Sequence, residues 1–248
     1  MYASEKDGNI DFYIENLFLM HVSTTLFIKN TQGYEAKENL PYRIVLKAKE
    51  KVKVLTLYNL SKTKQVGSFS SHISWSKGSI NAKADKYFIY ALPFHNSQRV
   101  SQGFNGKTSH KGRAKYAVDF AMDIGTPIYA ARSGKVVEVI QRHNKHGMSL
   151  AMRQYANYMI IEHSDKTLGR YFHLKQKSVR VKLGDTVGKG DLLALSGDTG
   201  RTSGPHLHFV VTKAEGLGND YRSVSVAIRF ECSEGILDKP ISGKSYCP

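Results

Sequence analysis

Ten histidines are spread over the 248 residues, and five of them sit where an imidazole could do chemistry. His206 and His208 stand one residue apart in TSGPHLHFVV, directly after Gly-Pro and inside an apolar run. In a strand, residues i and i+2 share a face. The two imidazoles would then stand side by side while Leu207 and Phe209 point the other way. His110 lies in TSHKGRAKYAVDFAMDIGTP with Asp119 downstream, His163 ends MIIEH, and His173 lies in GRYFHL. Two imidazoles on one face fit a metal site, an acid/base pair, or chance. A hydrolytic zinc takes about three protein ligands from His, Asp or Glu and keeps one position for water. A His, an Asp and a second His from separate strands meet that need, and two further histidines could move protons or stabilise an oxyanion. His21, His72, His95, His143 and His146 stand alone or in polar stretches and read as ordinary surface or core residues.

Other hydrolytic and nucleotide-binding signatures are missing. The chain has no HExxH helix, no G-x-S-x-G nucleophile elbow and no GxxxxGK[ST] loop. Neither Cys232 nor Cys247 has a papain-like setting, and no CxxC pair occurs. The VRVKLGDTVGKGDLLALSG stretch has the texture of a lipoyl or biotinyl carrier, but no attachment-lysine hairpin accompanies it.

The elements that would position these side chains read as strands throughout. From about residue 10 to residue 92, VSTTLFIKN, YRIVLKAKEKVKVLTLYNL and YFIYALPF are rich in Val, Ile, Thr, Tyr and Phe, and Asn, Gly, Ser and Lys clusters separate them. This predicts an immunoglobulin-like β-sandwich over 1–95, with Trp75 as a core anchor. Lys47, Lys49, Lys51 and Lys53 would line the solvated face of one strand. PFHNSQRVSQGFNG suits a linker. Short strands continue through PIYAARSGKVVEVI, NYMIIEH, GRYFHL, VRVKLGD, DLLALSGDTG and HLHFVV, with one short helix near SLAMRQYAN. The expected fold class is all-β, with the sandwich at 1–95, a second domain at 96–230 and a tail at 231–248.

GTPIYAARSGKVV, NYMIIEHSDKTLGRYFHL and VKLGDTVGKGDLLALSGDTGRTSGPHLHF, in this order, resemble the lysostaphin/LytM-type zinc endopeptidases. The likeness covers about residues 100–212 and rests on an H…D element, a Y-x-H-L element and a G-P-H-L-H element in succession. It implies a LytM-type antiparallel β-sheet peptidase domain behind the sandwich. It further implies Zn2+ on His110, Asp119 and His208, with His206 as the general base and His173 as the transition-state partner. His163 matches a position often filled by histidine without ligand duty and is left structural. Two departures stand out. Eight residues separate His110 from Asp119 where three are usual, with Asp123 as a lesser candidate ligand, and Val210 replaces a common Glu. The implied substrate is an amide in the stem or cross-bridge peptides of peptidoglycan. The alternative is a non-catalytic LytM-like module that binds or activates during cell-wall remodelling, although every candidate position is filled.

Composition fits that setting. Lys and Arg number 36 against 21 Asp and Glu, a formal charge of +15, which favours polyanionic partners such as anionic cell-wall polymers. No aromatic-and-basic motif points to nucleic acid, and no apolar run reaches the roughly 18 residues of a membrane span. A wall substrate lies outside the cytoplasm, so the expected location is periplasmic or secreted, with the signal segment absent from this sequence. In that oxidising setting a Cys232–Cys247 disulfide is a secondary expectation.

Overall fold

In strand after strand, alternate side chains turn into an apolar interior, and these inward rows define two separate cores. The computed structural model describes residues 1–61, 67–218 and 220–248. It divides into two compact units, one of Met1–Asn81 with Ala214–Ser223, the other of Ala82–Lys213 with Val224–Pro248. Among the described residues the only helical elements are two 3-10 segments, Gly112–Ala114 and Leu150–Tyr155, and the second lies where SLAMRQYAN predicts a short helix.

The first unit contains two sheets. One runs Tyr2–Lys6, Asn9–Glu15, Lys51–Asn59, Tyr34–Ala36; the other runs Tyr42–Leu46, Val22–Gln32, Ser68–Lys77. Ile10, Phe12 and Ile14 alternate inward from the first sheet and join Leu26 and Ile28 from the second in one cluster. Two expectations fail here. Trp75 is 48% exposed, lying against Phe18 on an edge strand that has a partner on one side only. The lysine row also breaks. Lys51 and Lys53 stand exposed on their strand, but Lys47 and Lys49 fall in the turn where the chain leaves one sheet for the other, and Lys49 has φ +58°. The segment Ala214–Ser223 joins this unit through polar bonds: Ser74 Oγ donates to Asp220 at 2.7 Å, and the Tyr221 hydroxyl donates to the Thr24 carbonyl at 3.3 Å.

The second unit is built on a sheet in the order Thr186–Val187, Gly134–Ile140, Tyr158–Glu162, Leu168–Phe172, His206–Leu217, Val118–Ala121, Gln98–Gln102, Ser245–Tyr246. Its core gathers Phe94, Phe120, Tyr171, Phe209 and Phe230. The expected boundaries move accordingly. Tyr90, Leu92 and Phe94, placed before residue 95 in the first domain, alternate into this second core, so the units part at residues 81 and 82. The expected linker contains a strand of the main sheet, Gln98–Gln102, with Val100 fully buried. Nor is 231–248 a loose tail. Gly235–Leu237 pairs with Arg229–Cys232, Ser245 and Tyr246 pair with Arg99 and Gln98, and Tyr246 is buried.

Candidate metal centre

Register in the second unit's sheet brings the candidate ligands together. Val118–Ala121 runs antiparallel to His206–Leu217 with Asp119 opposite His208 and Ala121 opposite His206, and Phe172 flanks His208 on the other side. Leu207, Phe209, Val118 and Phe120 are fully buried in the core. Their neighbours His206, His208 and Asp119 therefore share the opposite face, as strand alternation requires. One Asp119 carboxylate oxygen, Oδ1, lies 2.7 Å from His208 Nδ1 and 3.2 Å from His110 Nε2. Ligand atoms of His110, Asp119 and His208 all lie within 4.8 Å of one another.

His110 arrives on a loop, and the long separation from Asp119 is absorbed locally. The 3-10 turn Gly112–Ala114 folds the intervening residues back, and the Asn105 amide holds the Lys115 carbonyl at 2.6 Å, so both ends converge. Gln102, unnoticed in the sequence, organises this corner. Its Oε1 accepts the amides of Thr108 and Ser109 at 3.0 and 3.1 Å, while its Nε2 donates to Asp119 Oδ2 at 2.9 Å. It sits opposite Asp119 on the neighbouring strand, a pairing that no local pattern in SQGFNG announces. Asp123 does not join the group. It is exposed, and its carbonyl accepts from Thr126 and Ser196 in a turn.

The donor chemistry fits a divalent cation. His110 is fully buried, and its Nδ1–H donates to the Gly103 carbonyl at 3.0 Å. That bond fixes the tautomer, so neutral His110 presents a lone pair at Nε2, an atom with no hydrogen-bond partner. A buried lone pair aimed at a carboxylate oxygen is costly unless something positive lies between them. Burial opposes ionisation of Asp119, yet its carboxyl is held far below the usual range, with His208 Nδ1–H donating to Oδ1 at 2.7 Å. Two imidazoles and a carboxylate suit zinc, and three protein ligands leave a position open.

Two more imidazoles stand beside this group. His206 donates from Nδ1 to the Gly204 carbonyl at 2.8 Å, and its Nε2 is 3.8 Å from Asp119 Oδ1. The Thr202–Pro205 turn behind it is braced by Thr202 Oγ1, which accepts the Gly204 amide at 3.0 Å. His173 follows its strand in the left-handed region at φ +65°, a conformation that costs about 1–3 kcal/mol and concentrates at functional sites. Its Nδ1–H donates to the Thr199 carbonyl at 2.7 Å, and its ring centre lies 4.5 Å from that of His206. Burial, helped by His206 and His208 nearby, pushes the His173 pKa down to about 3, so its ring is neutral near pH 7. His163 lies elsewhere, packed against Tyr90 with Nδ1 on the Ser133 carbonyl.

The four residues Asp119, His173, His206 and His208 open into a groove of about 1140 Å³. Lys107, Arg153, Arg201 and Lys239 also line it, and all four are exposed. Among the described residues Asp119 is the groove's one carboxylate. No helix among the described residues is long and apolar enough to cross a membrane.

Residues 113–220 match the model of peptidase family M23. Over 118 residues the chain is 38% identical to the peptidoglycan DD-endopeptidase ShyB of Vibrio cholerae, covering 46% of this chain and 25% of that protein. With ShyA of the same organism it shares 36% over 121 residues, covering 47% and 25%. With lysostaphin of Staphylococcus simulans it shares 38% over 98 residues, covering 40% and 18%. The matched stretch thus spans a quarter or less of the length of these relatives. The family match begins three residues after His110, so the place of His110 in the site rests on its geometry.

Proposed function

We propose that this chain, whose residues 113–220 form a peptidase family M23 domain, is a zinc-dependent endopeptidase that hydrolyses amide bonds in peptidoglycan peptides outside the cytoplasm. The observation that carries the reading is the convergence of buried His110 with Asp119 and His208, which open into a groove, with two further imidazoles adjoining them. Zinc on those three residues would supply Lewis-acid polarisation of the amide carbonyl and a water acidic enough to ionise near neutrality. His110 and Asp119 are held from behind by the Gly103 carbonyl and Gln102, so the ligand set is organised before any ion arrives. The relatives named as peptidoglycan endopeptidases support the substrate class, and the cationic groove walls suit a peptide that carries carboxylates.

His206 and His173 have separate tasks. Each commits Nδ1–H to a backbone carbonyl, so each neutral ring offers a lone pair at Nε2. His206, the nearer to Asp119 Oδ1, takes the proton of the attacking water and returns it to the leaving amine. Neutral His173 can accept a hydrogen bond and orient that water. It can donate to a developing oxyanion only after gaining a second proton, which its burial opposes. Digestion of defined muropeptides, with products identified by mass, tests the reading. Cleavage of a peptide amide that stops on chelation and returns with zinc supports it. Intact muropeptides in the presence of zinc-loaded, folded protein would overturn it.

A further inference from the structure

The C-terminal segment is built into the metal corner. The Gly103 amide donates to Ser242 Oγ at 3.0 Å, the Val100 amide to the Lys244 carbonyl at 2.8 Å, and the Gly243 amide to the Val100 carbonyl at 2.8 Å. Gly103 is pressed so closely that a Cβ there would lie 2.1 Å from the Pro240 carbonyl oxygen. The carbonyl of this same Gly103 fixes His110. The strap that supports a candidate ligand therefore runs between Cys232 and Cys247. The backbones at the two cysteines adjoin: the Ser233 amide, one bond beyond Cys232, donates to the Cys247 carbonyl at 2.8 Å. Standard bond lengths then keep the two α-carbons within about 7–8 Å, against the roughly 4.4–6.8 Å a disulfide spans. Cys247 is exposed and Cys232 half-buried, so an oxidant can reach both, and Cys232 Sγ, which donates to the Gly235 carbonyl at 3.2 Å, turns from it to form the bond.

We propose that Cys232 and Cys247 form a disulfide that clamps the strap against Gly103 and thereby positions His110 for the metal. The metal-positioning half rests on the zinc reading above; the cross-link itself rests only on the pairing of the two cysteines and an oxidising location. Forming the S–S bond removes two protons and two electrons from the thiols. A disulfide-bearing oxidant outside the cytoplasm takes up both and leaves as a dithiol. The cross-link lets the segment hold its register with Gln98–Gln102, although Ser245–Tyr246 supplies only two paired residues.

The protein produced with export, or refolded in a glutathione redox buffer, should show no titratable thiol when denatured unreduced and should gain 2 Da on reduction. Two free thiols would overturn the cross-link. Competition with a chromophoric chelator then reads zinc affinity. Reduction of the folded protein should weaken zinc binding about 10-fold, a loss typical of removing support behind a ligand. Cys232→Ser, Cys247→Ser and the double variant should each match the reduced protein, with no extra loss in the double. Melting about 5–10 °C lower on reduction with unchanged zinc affinity would overturn the positioning role, because a purely structural clamp gives that result. A cross-linked protein that binds no zinc in either redox state would instead sink the hydrolase reading while the disulfide stood.

Discussion

Two buried histidines in the second unit begin alike and end differently. His110 is fully buried and His163 is 2% exposed. Each donates from Nδ1 to a backbone carbonyl, Gly103 at 3.0 Å and Ser133 at 2.9 Å, and each leaves Nε2 without a hydrogen-bond partner. At His110 the free nitrogen faces a carboxylate, with a second imidazole close by. At His163 it faces Gly169, where a Cβ would lie 2.7 Å away, and the ring packs T-shaped with Tyr90. Burial pushes the His163 pKa down to about 4, so the ring stays neutral among its neighbours. The comparison shows that an unsatisfied imidazole nitrogen does not by itself make a site. It is a candidate ligand where other donor atoms converge on the same point, and packing where they do not.

The comparison breaks most visibly at the carboxylate. Asp119→Ala should leave two imidazoles without their shared partner, abolish metal binding and lower hydrolysis about 1000-fold or more, measured as metal content by elemental analysis beside turnover. The same substitution logic at the His163 corner should leave metal content untouched. Next in size, His206→Ala should keep the metal and lose about 100- to 10,000-fold in turnover, since it removes a proton carrier that belongs to no ligand pair. A metal-free His206→Ala protein would mean that this ring helps hold the ion.

The His163 corner should show itself in stability. Its pKa is lowered on folding, so the unfolded chain binds a proton that the folded chain refuses. The stabilisation is complete above about pH 6.5 and is lost as pH falls toward 4, about 3 kcal/mol in all. Urea unfolding of metal-free protein at pH 7 and pH 4 should lose that much more in the wild type than in His163→Gln, and equal slopes would show that His163 is not the titrating group. Smaller still, Gly169→Ala should cost about 1–3 kcal/mol by driving a methyl against His163, with metal content per folded molecule unchanged.

Much of the site was legible in short-range pattern. Two-residue alternation in HLHF put His206 and His208 on one face and Leu207 and Phe209 in the core, and the register of Val118–Ala121 then set Asp119 against His208. The all-β class followed from the same alternation. What escaped were partnerships set by tertiary contact. Gln102 braces Asp119 from a neighbouring strand, and Ser242 braces Gly103 from far along the chain, and neither leaves a periodic trace. The boundary at 95 failed because YFIYALPF looks the same whichever core it enters, and Trp75 failed because an aromatic residue on an edge strand need not turn inward. His163 and His110 could not be told apart by residue type, since only the fold decides what stands opposite Nε2.

A crystal structure of the zinc-soaked protein, with the ion located by its anomalous scattering, tests the central claim most directly. The account predicts one ion about 2.0–2.2 Å from His110 Nε2, an Asp119 carboxylate oxygen and a His208 ring nitrogen, with no ion beside His163. An ion bound elsewhere, or a His110 ring turned from it toward solvent, would contradict the account.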